Sequence, residues 1–265
     1  MNKTFDLKRF GKYFRYDVVS AWQNAGASLL TIAAMPLWLF LIVSLFQIVF
    51  KGQFGNFSMA GIGVAYAISI VMTELFFPVQ HYGKLTDRKP GSDWVLLPAS
   101  RFEKFLSMLL ITCVVVPAVW LAVIASCDGL LTIAFNNYQG MGLVELTSGL
   151  SKAMAELHSE NIDFVLNGPW AIYLSFCASI LTFTLGAIFF RKNKIVYTFL
   201  AVIAVSIVIT IAAGIISGGQ MHVDTDYFNE DRLMRAMNAL ICLIYFVEFA
   251  VLDVLIYLRV KTIKH

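Results

Sequence analysis

The stretch QHYGKLTDRKPGSDWVLLPASRFEKF, Gln80 to Phe105, decides how this chain is read. Two long apolar runs flank it, and it carries Lys84, Arg88, Lys89, Arg101 and Lys104 against Asp87, Asp93 and Glu103. A short basic loop beside membrane spans stays on the cytoplasmic side. Its second half has a helix-start pattern: Pro98, then Ser100, then Glu103 three positions on, leading straight into apolar sequence. The loop thus offers the cytosol a short, capped, charged helix joined to the foot of a transmembrane helix. Such a lever passes force from a soluble partner into the bilayer.

Composition agrees with a membrane chain. Hydrophobic residues make up 59% and charged residues 14%, with a mean hydropathy of +0.75. A soluble chain of 265 residues has too little polar surface to cover that much apolar material. The net charge of +3 says little; its distribution says more. Cys113, Cys127, Cys177 and Cys242 lie in or at the edge of apolar runs without CxxC spacing. They read as buried structural thiols rather than a zinc site or a disulfide framework. No cleavable signal peptide is expected, because the first apolar run begins near Ala27 and is long enough to remain as a signal anchor.

Six apolar runs follow one another: about 27–50, 58–80, 105–126, 169–190, 195–216 and 236–258. Each is close to the roughly 20 residues that cross a hydrocarbon core. Pro36 and Pro117 fall inside runs one and three, where kinks are expected and neighbouring groups satisfy the freed carbonyls. The basic residues set the orientation. Sixteen of the 20 lie in the segments that face inward if the N-terminus is inside, and only Lys51, Lys152, Arg232 and Arg235 face outward. Both termini are therefore expected in the cytoplasm.

Residues 1–26 form the other patterned piece. Leu7, Phe10, Phe14, Val18 and Ala21 recur at helical spacing, with Lys8, Arg9, Lys12 and Arg15 opposite. This is either an amphipathic helix lying in the headgroup layer or a positive-inside anchor. The outer segment 127–168 is long and acidic, and Leu143, Leu146, Leu150, Met154 and Leu157 mark an amphipathic helix within it. The segment 217–235 has room for a short re-entrant or surface turn.

The segment LLPASRFEKFLSMLL, Leu96 to Leu110, resembles the cytoplasmic loop of ABC-2 type exporter permeases, especially those of Bacteroidetes. The six-run layout and the basic N-terminal helix agree with that resemblance, although the large outer element follows run three rather than run five. The resemblance implies an all-α membrane protein with six transmembrane helices, N-in/C-in. It implies an N-terminal interfacial helix over 1–26, a permease domain over 27–265 and a cytoplasmic coupling helix. Leu97, Pro98, Ser100, Arg101, Phe102 and Glu103 would dock on the ATPase, with Arg101 and Glu103 bonding to it and Phe102 as the anchor. The implied partners are ABC ATPase subunits, a second permease copy or paralogue, and membrane lipids, with no nucleic acid. The setting is the bacterial inner membrane. ATP and magnesium would bind the partner ATPase, and no cofactor is expected on this chain.

Chemistry on the chain itself finds little purchase. No G-x-x-x-x-G-K-[ST] and no H-E-x-x-H occur, and Gly26-Ala27-Ser28, the nearest approach to a serine-protease turn, has no histidine at its depth. An enzyme is not expected, nor a metal: His222 with Asp224 and Asp226 lacks the rest of a calcium loop. Glu74, Glu248 and Asp253 lie within apolar runs. A carboxylate at that depth costs roughly 2.5–3.5 kcal/mol on insertion scales, so each is either a relay or cation site or an interhelical pairing group. Two alternatives stay open: an ion-coupled secondary transporter using Glu248, and a membrane scaffold or sensor whose outer amphipathic helix binds a partner. The first reading needs a soluble ATPase, the second an ion gradient, the third neither.

Overall fold

The computed structural model describes residues 5–50, 59–86, 91, 94–134, 168–216 and 230–262. Among them every regular element is helical. Helix α1 (Leu7–Ala21) starts at Asp6, whose Oδ1 accepts from the backbone N–H of Lys8 at 2.9 Å. It runs through a π turn (Trp22–Gly26) straight into α2 (Ala27–Ala33). Tyr13, Asp17, Ala21, Ala25, Leu29 and Ala33 are all buried, one every four residues. At about 100° per residue that spacing drifts about 40° each step. The wider π turn takes back part of the drift and keeps the stripe on the bundle.

The structure differs here from the sequence expectation. No break separates an interfacial helix from a first span at residue 26. The bend, 43°, comes at Ala34, where Pro36 opens α3 (Met35–Val49) and its ring would strike the carbonyl four residues back in a straight helix. The apolar side of α1 also turns toward protein rather than lipid, since Phe14, Val18 and Ala21 join the main core.

Helix α4 (Met59–His81) passes into a 3-10 turn (Tyr82–Thr86). Helix α5 (Arg101–Leu110), a π turn (Ile111–Val115) and α6 (Val116–Ala134) then form one long helix. Over Arg101–Ile133 it has a mean hydropathy of 2.7 in its most apolar window, and its length of about 50 Å exceeds the hydrocarbon core. It overruns the expected 105–126 at both ends. Residues 127–134, read as the start of an outer loop, continue the helix because Leu130, Leu131 and Ile133 extend the apolar run. Pro117 leaves the carbonyl of Cys113 without its helical donor, and the Tyr173 hydroxyl donates to it at 2.7 Å.

Helix α7 (Gly168–Phe189) is the centre of the bundle. It packs against α4, α9 (Glu230–Thr262), the 3-10 turn at Tyr82–Thr86, the π turn at Ile111–Val115 and the start of α8 (Lys194–Ile216). Ile180, Leu181, Thr184, Ala187 and Ile188 have no exposed surface. Asn193, at φ 43°, makes the left-handed step between α7 and α8 that asparagine tolerates. A Cβ at Gly186 would lie 1.8 Å from Thr198 Oγ1, so glycine is what lets the two helices meet. Among the described residues, one helix is long and apolar enough to cross a membrane, or three spans if each of two bent pairs counts as one. The expected amphipathic helix around Leu143–Leu157, most of the outer segment, the turn at 217–229, and His158, His222, Asp224 and Asp226 lie outside the described residues.

Candidate functional site: a braced helix start

The expected capping box is present. Ser100 Oγ accepts from the Glu103 N–H at 3.2 Å, and Glu103 Oε2 accepts from the Ser100 N–H at 2.7 Å. Glu103 also closes the start of α1. Its Oε1 accepts from the Asp6 N–H at 3.0 Å and from Arg9 Nη2 at 2.6 Å, while Arg9 Nε donates to Oε2 at 2.9 Å. One carboxylate thus holds two helix starts together. Glu103 precedes the apolar run that begins at Phe105, and it is 0% exposed. Burial opposes its charge, yet Arg9 and the two backbone N–H groups outweigh it and hold the carboxyl down to about 2.

The brace continues inward. Ser107 Oγ donates to Asp17 Oδ2 at 2.6 Å, and His81 Nε2 lies 3.4 Å from Asp17 Oδ1. Trp94 Nε1 donates to the Tyr13 hydroxyl at 3.0 Å. Lys104, counted by sequence among the basic residues of a solvated loop, is buried. Its Nζ donates to the carbonyls of Trp94 and Val95 at 2.7 and 3.2 Å and sits 4.6 Å from the Trp94 ring centre. Helix α1, the Trp94 turn and α5 are locked as one piece.

The outer side is open. Pro98, Arg101 and Phe102 are exposed, Leu97 and Ser100 half-buried and Glu103 fully buried. The six expected docking residues therefore divide. Glu103 cannot bond to a partner as expected, because its oxygens are occupied by Arg9, Asp6 and Ser100. Sequence reasoning missed Leu96, which is 78% exposed, together with Val95 and Phe5. The Phe5 ring meets Phe102 edge-on at 5.9 Å. The signal for Leu96 was present, an apolar residue in a charged loop with no helical partner of its own. Nothing in the sequence pointed to Arg9 or Asp17 as the brace.

The basic segments collect at this same end. Lys84 Nζ donates to Asn24 Oδ1 at 2.6 Å, Lys194 Nζ to the Gly83 carbonyl, and Arg259 Nε to the Ile188 carbonyl at 3.0 Å. Phe105 meets Tyr257 at 5.6 Å. Arg259 lies over Phe189, 5.3 Å from its ring centre. Among the carboxylates within the apolar runs, Glu74 is buried in α4 and Asp253 half-buried in α9, its Oδ1 without a hydrogen bond. Glu248 is exposed on α9 beside Val247 and Val251. The three are not brought together. Cys113 and Cys177 are buried. Among the described residues no group of three or more His, Cys, Asp or Glu is placed to hold a metal.

No family model matches this chain, and neither a curated protein nor a solved structure matches it.

Proposed function

We propose that this chain is the six-span permease subunit of an ATP-driven exporter of the ABC-2 type, with both termini in the cytoplasm. A separate ATPase docks on the helix start around Pro98 to Phe102, and a second copy or paralogue completes the permease. The observation that carries this reading is the two-sided first turn of α5. Leu96, Pro98, Arg101 and Phe102 project outward, while Glu103 and Lys104 fasten the turn to α1 and to the long apolar helix behind it. A load on the outer side reaches the membrane helix without being absorbed by a loose loop. The gathering of Arg9, Lys84, Lys194 and Arg259 at that end supports an inward-facing pole.

The proposal is tested by purifying the protein from its native host in mild detergent and identifying what co-elutes by mass spectrometry. A stoichiometric soluble protein with a phosphate-cradling G-x-x-x-x-G-K-[ST] loop is expected. Elution of the chain alone in several detergents would overturn it. The ion-coupled alternative rests on Glu248, which lies on an exposed apolar face apart from the buried polar groups.

A further inference from the structure

We infer that two copies of this chain pair through α9, along a seam of Ile244, Glu248, Val251, Leu255 and Leu258, with the two Glu248 carboxyls hydrogen-bonded across it. The inference rests on the membrane-spanning reading above and names the surface through which a second copy joins.

Packing within the chain fixes which way α9 faces. Leu252, Ile256 and Val260 are buried in the main core, where α9 lies against α7 and α5. The five seam residues are all exposed. They recur at alternating steps of four and three positions. That repeat of 3.5 keeps one line of side chains facing a second helix along its whole length.

Lipid suits four of the five and not the other. Glu248 precedes Arg259, at the basic end, by eleven positions. The distance is about 16 Å along the helix, which places the acid near the middle of a hydrocarbon core of about 30 Å. Its carboxyl makes no hydrogen bond or ion pair among the described residues. An apolar side chain gains little by exchanging lipid for protein. An acid at that depth is costly until a hydrogen-bonding group covers it.

A second copy supplies that group by symmetry. Two copies inserted with the same topology are related by an axis along the membrane normal, so their α9 helices run parallel. In a parallel pair each position of the seam faces its own counterpart. With Ile244, Val251 and Leu258 as d positions and Glu248 and Leu255 as a positions, Glu248 meets the partner's Glu248 at the same depth. The two carboxyls share a proton: one donates its O–H and the other accepts. A different protein would have to bring a donor to that depth, whereas the second copy does so without further requirement. One polar a position in an apolar seam also fixes the register and the number of helices.

The test is disulfide cross-linking of the full chain in native membranes, with the four native cysteines replaced by alanine and copper phenanthroline as oxidant. A disulfide-linked dimer is expected for Val251→Cys and for Leu255→Cys. None is expected for Ala250→Cys, which is exposed on the same helix but lies about 140° around it from Leu255. In the Leu255→Cys chain, Glu248→Ala should reduce the dimer about fivefold, and Glu248→Gln should retain it, because two carboxamides also bond to each other. Equal cross-linking at positions 250 and 255, an unchanged dimer in Glu248→Ala, or a Glu248→Gln chain that behaves like Glu248→Ala would overturn the seam. Release of the chain from membranes by alkaline extraction overturns the membrane reading instead. A cross-linked dimer with which no ATPase co-elutes overturns the exporter reading and leaves the seam standing.

Discussion

The inner and outer sides of the first turn of α5 lie within a few residues of each other and are built on different terms. On the inner side, Glu103, Lys104 and Ser107 are buried, and each polar head is bonded to α1 or to the Trp94 turn. On the outer side, Leu96, Pro98, Arg101 and Phe102 stand in the open, with Phe5 against Phe102. Stability resides in the first set, and the proposed docking of an ATPase would use the second. A buried carboxylate with four donors tolerates no substitute, because each donor left behind is costly. An exposed phenyl ring contributes little until a partner covers it.

Substitutions on the two sides should separate these roles. The largest effect is expected for Glu103→Ala, which removes a helix cap and leaves the Ser100 and Asp6 N–H groups unpaired. A loss of about 2–3 kcal/mol is expected from such changes, read as a lowered unfolding midpoint in detergent. Phe102→Ala and Arg101→Glu should leave that midpoint unmoved, as surface changes do, yet uncouple ATP hydrolysis in the assembled transporter; Phe102→Ala should weaken ATPase docking about tenfold, as loss of an anchor does. Normal substrate-stimulated hydrolysis in both variants would erase the distinction between the two sides. Lys104→Met keeps the apolar stem but drops the bonds to Trp94 and Val95. It should destabilise by about 1 kcal/mol, with a change in tryptophan emission that Arg101→Met lacks.

Acid sharpens the contrast further. The carboxyl of Glu103 is lowered in the folded chain to about 2 from 4.5. Its contribution is therefore complete above about pH 4.5 and is lost as pH falls through about 2. The stability of the wild type should fall across that window more steeply than that of Glu103→Gln. Parallel curves would mean that the carboxylate does not hold the brace.

Much of the helical layout was legible in the sequence. The apolar runs 58–80, 169–190 and 195–216 match α4, α7 and α8 within a residue or two, and Ser100 with Glu103 announced the start of α5. Boundaries failed where a helix continued beyond its apolar core. Residues 230–235 and 259–262 are largely charged or polar but belong to α9, since the backbone bonds of a long helix carry it beyond its apolar run. The join at residue 26 failed for another reason: a π turn leaves no mark that distinguishes it from an ordinary helical turn.

Hydropathy also could not rank the helices. Runs 169–190 and 195–216 are apolar throughout, yet α7 is the buried centre, whereas the described side chains from Phe199 to Ile211 on α8 are exposed. In a bilayer both environments are apolar, so composition does not distinguish a protein-facing side chain from a lipid-facing one. The sequence by itself determined the helical class, the clustering of positive charge in four segments, and the cap at Ser100. Only the tertiary structure decided that Glu103 and Lys104 turn inward and that Leu96 turns outward. Which side of a turn is buried depends on the helix packed against it, and that helix, α1, lies more than ninety residues away in the chain.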